Sequence, residues 1–464
     1  MKKTLALILS CVMLLGIFAG CNNNTASSTA SNSSTASSSS SETSEESSET
    51  SEEPITIRFI STATAGSAFY KLLEVSNAQF MEDHPNVTVN HEGLSSAELR
   101  TKLSVEFAAN TPPDTSWIPQ SYAMEYTRTD QIIDWAPIVE ADAELKSWYS
   151  DAVWDAITTD EGRIIYCPGE MGFDSLYYNM EIFEANGWTP PETWSEFITL
   201  CDEMNAVGIA PMVTGGGENR FAWLAGALLS RTGGIDNYRA LASGDNESMT
   251  SWDDPAYGFV EAMEKFKEMV DHNAYYPGCM GMTATEADEV FARGEAAMYY
   301  EGAWKPANFE SAGGREFIDK VGRVDFPIME DCPNGTDNNI GGPHTGYFVA
   351  KGLSEYKQDM VVELIKTFSN PEFQSDMVET GAHMSAVSGL DYDEAKISNL
   401  MNECVIGAQS ATSFIPSMDA IAPPAVDLAI KGTAMPGILT GELSVEEAVA
   451  AVQKAAEDYV AGLQ

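Results

Sequence analysis

The sequence predicts an α/β fold large enough for two lobes, and three observations carry that expectation. Short strand-like stretches alternate with longer amphipathic ones from Ile55 to Ile118. A strand, a clipped helix, a double-proline turn and a capped helix follow one another between Asp174 and Gly208. The third observation is size, since 464 residues of 44% apolar composition can bury more than one core.

Ile55–Ile60 alternates as a half-buried strand does, and Phe69, Leu72, Leu73, Ser76 and Phe80 recur at helical spacing. Val87–Asn90 gives a second strand beyond Pro85. Ser95 and Glu98 have the spacing of a capping box, with Leu99, Leu103 and Phe107 on one face of the helix they open. Pro112-Pro113-Asp114 closes that helix ahead of a strand at Thr115–Ile118. This order is that of a parallel sheet covered by helices, which binds ligands at the carboxyl ends of its strands. Those ends are Ser61–Thr64 and Trp117–Tyr122.

Arg163–Pro168 reads as extended and Ser175–Tyr178 as a strand, with Asn179 opening a short helix over Met180–Ala185. Gly187 suits the left-handed residue that ends it, and Pro190-Pro191 prevents a restart. Thr193 and Glu196 open a helix from Trp194 to Gly208. Ala210–Val213 is a strand, and Gly215-Gly216-Gly217 a loop lacking either glycine pattern that cradles phosphate. Asp254-Pro255 caps a helix that buries Phe259, Ala262, Met263, Phe266, Met269 and Val270. Thr285 and Asp288 cap the next, Gly294 ends it, and Ala296–Tyr300 returns as a strand. Gly302 then permits a tight turn that leaves Trp304 at the strand's exit. Gln358–Phe368 is an amphipathic helix, and Ser444 and Glu447 open the last one.

Ahead of all this, Lys2-Lys3, an apolar run Leu5–Phe18 and Ala19-Gly20 before Cys21 form an export signal. The small residues before Cys21 resemble the bacterial lipobox, with Phe18 where an aliphatic is usual. A lipid on Cys21 would supply more than one acyl chain, enough for stable anchoring. Residues 22–53 are almost wholly Ser, Thr, Ala and Glu; they bury nothing and read as a disordered tether. A net charge of −45 repels nucleic acid and anionic headgroups, so neither is an expected partner of the folded part. Cys167, Cys201, Cys279, Cys332 and Cys404 are odd in number and lack a CxxC, so they read as buried thiols rather than disulfides or zinc ligands.

Several stretches carry a family resemblance. Leu176-Tyr-Tyr-Asn179, Phe183, Gly187, Pro190-Pro191, Thr193-Trp194 and Glu196-Phe197 make one run. Phe291, Gly294, Ala296-Ala-Met298, Gly302 and Trp304 make a second. Pro112-Pro-Asp114, Ile340-Gly-Gly342 and Ser369–Gln374 fall in the same order. Together they resemble the extracellular solute-binding proteins of ABC importers, in the carbohydrate-binding branch of the maltose-binding-protein family.

That resemblance implies a two-lobed periplasmic-binding-protein-like fold, each lobe a mostly parallel sheet flanked by helices, with a hinged cleft between. It implies a lipoprotein signal peptide over 1–20 and the lipid-attached tether over 21–53. Lobe 1 is then 54–166 and 327–371, and lobe 2 is 167–326 and 372–464. Crossings fall near Arg163–Pro168, Val324–Ile328 and Ser369–Phe373. The implied partners are a carbohydrate, the transmembrane permease subunits and, through Cys21, the outer face of the bacterial cytoplasmic membrane. No cofactor or metal is expected, and no catalysis.

A sugar site needs flat rings against C–H faces and fixed polar groups for the hydroxyls. Trp304 is the foremost candidate, by its position after Gly302 and by the matching family segment. Trp117 and Tyr122 lie at a strand end; Glu218, Phe221 and Trp223 match a family segment that carries a carboxylate and aromatics into the cleft. The segment after Pro168 places Glu170, Met171, Phe173 and Asp174 near it, and Glu301 and His344 complete the set. Trp135, Trp148, Trp154, Trp188, Trp194 and Trp252 read as packing. Two alternatives stay open, a binding protein for peptides or polyamines and a secreted glycoside hydrolase. The hydrolase would need a carboxylate pair that no spacing here singles out.

Overall fold

Three strands pair in parallel at one end of the sheet: β1 (Ile55–Ser61) lies between β2 (Val87–Gly93) and β3 (Thr115–Pro119). The computed structural model that shows this describes residues 53–463 other than 160, 333, 335–339 and 411–413. The expected signal, Cys21 and the tether as far as residue 52 lie outside the described residues. Helices Ala68–Asp83 and Ser96–Ala108 join the three strands. Ser95 and Glu98 cap the second reciprocally, the Ser95 N–H donating to the Glu98 carboxylate at 3.0 Å. Phe69, Leu73, Phe80, Leu99, Leu103 and Phe107 are buried with Ile57, Phe59 and Ile118 in one cluster.

Five more strands follow: β4 (Cys167–Asn179), β5 (Ala210–Met212), β6 (Ala296–Gly302), β7 (Val321–Val324) and β8 (Gly341–Tyr347). β4 is one long strand where two separate extended stretches were expected. Its first half pairs antiparallel with β8, Cys167 opposite Tyr347 and Phe173 opposite Gly341. Its second half pairs antiparallel with β6 and β7. The whole is an eight-stranded sheet in the order β2-β1-β3-β8-β4-β6-β5, with β7 against β4. Parallel pairing is confined to β1 with its neighbours and β5 with β6; every antiparallel pair includes β4 or β8, so the sheet is mixed.

The buried side chains divide between two large clusters. Met171 of β4 belongs to the first and Leu176 to the second. Ile340, just before β8, belongs to the second and Tyr347 to the first. β4 and β8, side by side, therefore carry the chain across in opposite directions. Phe326 and Met329 pack in the second cluster, so the Val324–Ile328 segment is not itself the return passage. The turn at Ser369–Phe373, expected as a crossing, instead joins helices Glu355–Ser369 and Pro371–Glu379. Asn370 caps the second of these, accepting from Phe373 N–H at 2.8 Å, and Phe368 and Phe373 pack at 5.7 Å. Phe373, Met377, Met384 and Val405 consequently sit in the first cluster, although the sequence allotted 372–464 to the second lobe. The chain passes over between Ala408 and Met418.

Local signals placed eight of the twenty α-helices among the described residues. Gly187, at φ 71°, ends helix Met180–Asn186, and the Thr193–Glu196 box opens Trp194–Ala206. Asp254 caps only a short 3-10 turn, and the helix that buries Phe259, Met263 and Phe266 starts after Gly258. Thr283 and Glu286 cap helix Ala284–Ala292, two residues earlier than expected, which frees Asp288 for a buried ion pair. The five cysteines that follow the tether are free and buried. Among the described residues no helix is long and apolar enough to cross a membrane.

Candidate functional site

A cavity of about 570 Å³ is lined by residues of both clusters, within the roughly 300–1,000 Å³ usual for small-molecule sites. On the side of the first cluster, β3 delivers Trp117. Its indole packs against Gly169 of β4, where an added Cβ would lie 2.1 Å from the ring. Phe69, Tyr347 and His383 surround it, with ring centroids at 5.0, 4.9 and 5.5 Å. On the opposite side Trp304 follows β6 and folds back over Gly302, where a Cβ would come within 2.2 Å of the indole. Trp223 meets Trp304 edge-on at 5.0 Å, and His344 of β8 lies 5.7 Å from it. Two glycines thus seat two tryptophans.

Charged groups hold the second tryptophan pair in place. The guanidinium of Arg220 sits 4.7 Å over Trp223 and 5.9 Å from Trp304. It pairs with Glu301, which is fully buried and also receives Lys305 Nζ at 2.9 Å and Trp304 Nε1–H at 3.3 Å. Lys305 reaches on to Asp288 at 2.6 Å. Burial would raise the Glu301 carboxyl, but Arg220 and Lys305 hold it below its ordinary value. Asp288, with burial outweighing Lys305, is raised.

Across the cavity Glu170 contacts His383 Nδ1 at 2.8 Å. Burial opposes ionisation of Glu170, yet the charge and hydrogen bond of His383 leave its carboxyl below the usual range. His344 lies 3.0 Å from Thr345 Oγ1 through Nδ1 and 3.6 Å from Asp419 through Nε2. Burial lowers the basicity of that imidazole, and Asp419 more than offsets it, so the net shift is upward. With Gly172 and Ser417, Asp174 lines a separate pocket of about 10 Å³, which shares Trp223, Trp304 and His344 with the larger cavity. Burial and the nearby Asp419 push its carboxyl well up, and Tyr300 O–H donates to it at 3.3 Å.

Of the residues singled out from sequence, Trp304, Trp223, Trp117, Glu170 and His344 line the cavity, and Asp174 lines only the small pocket that adjoins Trp223, Trp304 and His344. Glu301 lies beneath Trp304 and Arg220, so it positions rings rather than facing the space. Phe221 is 1% exposed and packs on Phe266 and Tyr275. It immediately precedes helix Ala222–Thr232 and turns into the second cluster instead of the cavity. Glu218 is solvent-exposed in a 3-10 turn outside the lining, and Met171 packs in the first cluster. Phe173 alternates with Gly172 and Asp174 and stacks under Arg323, 4.9 Å away. Tyr122 packs beside Tyr126 behind Arg100 and does not reach the lining.

Sequence reasoning passed over Arg100, Arg220, Thr345, His383 and Asp419, all of which line the cavity. Arg220 stood inside a quoted segment, and two of only five histidines are here, so rarity was the available signal. Nothing in sequence tied Arg100 or Asp419 to the strand ends. The buried Nε of Arg100, Nε of Arg220 and Nε1 of Trp223 have no hydrogen-bond partner among the described residues. No group of side chains among those residues has the make-up of a metal site.

A mixed sheet whose two central strands cross between separate cores leaves a ring-lined cavity with room for a small molecule where they cross. The chain belongs to the bacterial extracellular solute-binding protein family, whose profile matches residues 77–396. That is a family of solute receptors, not of enzymes. An uncharacterised ABC transporter extracellular-binding protein of Pyrococcus horikoshii is 25% identical over 264 residues, 54% of this chain and 58% of its own length. The diacetylchitobiose binding protein of Streptomyces coelicolor is 24% identical over 47% of each chain. The chain spans about half the length of the curated relatives it matches. Over the fold the likeness is fuller. A chitin oligosaccharide binding protein superposes with a TM-score of 0.77 at 24% identity, over 88% of this chain and 98% of that one. Maltose-bound T. maritima MalE3 does so at 0.69 and 18% identity, over 87% and 100%.

Proposed function

We propose that this protein captures a sugar or oligosaccharide between two lobes and delivers it to the membrane permease of an ABC importer. The observation that carries the reading is the half-exposed indole of Trp304 at the cavity wall, with the largely buried Trp223 and Trp117, 6% and 2% exposed, reaching the same lining from the two clusters. Such rings offer flat apolar faces to sugar C–H groups, while unpartnered N–H donors on Arg100, Arg220 and Trp223 suit hydroxyls. The names of relatives point the same way, toward chitin oligosaccharide and diacetylchitobiose. In this reading Trp304, Trp223 and Trp117 stack on the ligand, and Glu170, His344 and Arg220 bond to its polar groups. The lobes follow the two clusters, and Cys21 carries the lipid that anchors the chain outside the cytoplasmic membrane.

Isothermal titration of the 54–464 fragment with a panel of short oligosaccharides tests the reading. The expected result is saturable one-to-one binding of at least one member, recovered intact by chromatography. Binding confined to peptides or polyamines, or turnover that follows the protein through purification, would overturn it. Cys21→Ala is expected to abolish lipid labelling; labelling that persists would remove the anchor from the proposal.

A further inference from the structure

We infer that the ligand is acidic: an oligosaccharide bearing a carboxylate, received by Arg100. This rests on the carbohydrate reading above and specifies its substrate class.

The argument is one of charge balance at the cavity wall. The chain holds 25 basic residues against 70 acidic ones, so an unbalanced cation is unusual anywhere in it. Arg220 and Lys305 face Glu301 and Asp288, two cations against two carboxylates. His383 has Glu170 at 2.8 Å, and His344 has Asp419 at 3.6 Å. Each of these groups has a protein group of the opposite type beside it.

Arg100 does not. It lines the cavity yet has no ion pair among the described residues, and its Nε is buried without a hydrogen-bond partner. Its guanidinium carbon stands 5.9 Å from the Tyr122 ring centroid, which steadies the side chain without neutralising it. Asp427, whose carboxyl feels the charge of Arg100, lies beyond ion-pair distance of it and is paired with Lys431. Arg100 projects from helix Ser96–Ala108, and Ser96 of its first turn also lines the cavity. A guanidinium presents parallel N–H donors that match a carboxylate in two bonds. A neutral sugar would leave that charge half-desolvated and unpaired on closure, whereas a uronic acid would complete it. The rings of Trp117, Trp223 and Trp304 can still stack on the sugar faces.

The test is titration calorimetry at pH 6, where His344 keeps its proton, with short uronic-acid-bearing oligosaccharides and the carboxyl-reduced neutral counterpart of each. The expected result is an acidic member that binds about tenfold or more tighter than its reduced counterpart, a ratio that shrinks as salt is raised. Arg100→Gln should bring the ratio close to one, and Arg100→Lys should restore part of it by returning the charge without the fork. Equal affinity for acidic and reduced forms would overturn the inference. So would an Arg100→Gln protein that melts like the wild type and keeps the full preference. Neutral oligosaccharides binding as tightly as any acidic one would leave the carbohydrate reading standing and remove only this specification. Failure of every oligosaccharide, acidic and neutral, would remove both.

Discussion

Trp304 owes its position to a residue with no side chain. Its indole occupies the space a Cβ at Gly302 would need, 2.2 Å from where that atom would lie. Removing the ring by Trp304→Ala is expected to cost about 1–3 kcal/mol of ligand binding, roughly tenfold to a hundredfold in affinity. The ring is only half-buried, so the ligand-free melting temperature should fall little. Gly302→Ala should reproduce the affinity loss by displacing the ring, as calorimetry on the folded variant would show. Lys305 behaves differently. It is fully buried between Glu301 and Asp288, and Lys305→Met leaves two carboxylates facing each other. A loss of about 3–5 kcal/mol in denaturant unfolding is expected, in contrast to the small effect at Trp304. At this scale the sequence was informative about Trp117 and Trp304 at strand exits, since the ends of those strands open on the cavity whatever their neighbours do. It was uninformative about residues whose direction depends on a single step of phase. Phe221 and Phe173 each stand next to a residue that does face the cavity, and each faces away.

The capping boxes at Ser95, Thr193 and Ser444 were legible because each is a contact between residues three apart. The pairing of β4 with β8 was not, because it joins Cys167 to Tyr347 across a long stretch of chain and has no local signature. The same limit explains Ser369–Phe373: a helix-to-helix turn and a crossing share one proline-bearing pattern, and packing decides between them. Strand β2 supplies a test of how tightly the first cluster is built. His91 lies against Phe59 at 4.6 Å and beside Tyr70, with Nε2 2.8 Å from Ser61 Oγ. Burial lowers its pKa to about 4 from the ordinary 6.5. The unfolded chain therefore binds a proton that the folded chain refuses, so this group makes stability rise as pH goes from about 4 to 6.5. His91→Gln should flatten that part of the melting-temperature profile, and an unchanged slope would show the imidazole to be solvated.

For the molecule as a whole, three stretches of chain, strands β4 and β8 and the segment between Ala408 and Met418, carry the backbone between the two clusters. Few connections of this kind favour relative motion of the halves they join, with the cavity's walls as the surfaces that meet. The lining is divided to suit this, Trp117 and Glu170 on one side and Trp223 and Trp304 on the other. A ligand touching both sets would gain contacts only when the halves approach, and that differential contact is what shifts the population toward the closed form. Small-angle X-ray scattering on the 54–464 fragment, with and without a saturating oligosaccharide of calorimetrically confirmed affinity, tests capture between lobes most directly. A smaller radius of gyration with ligand, and less of that change for Trp304→Ala at a concentration that just saturates the wild type, is the expected result. Identical scattering curves for the free protein and the saturated complex would contradict it.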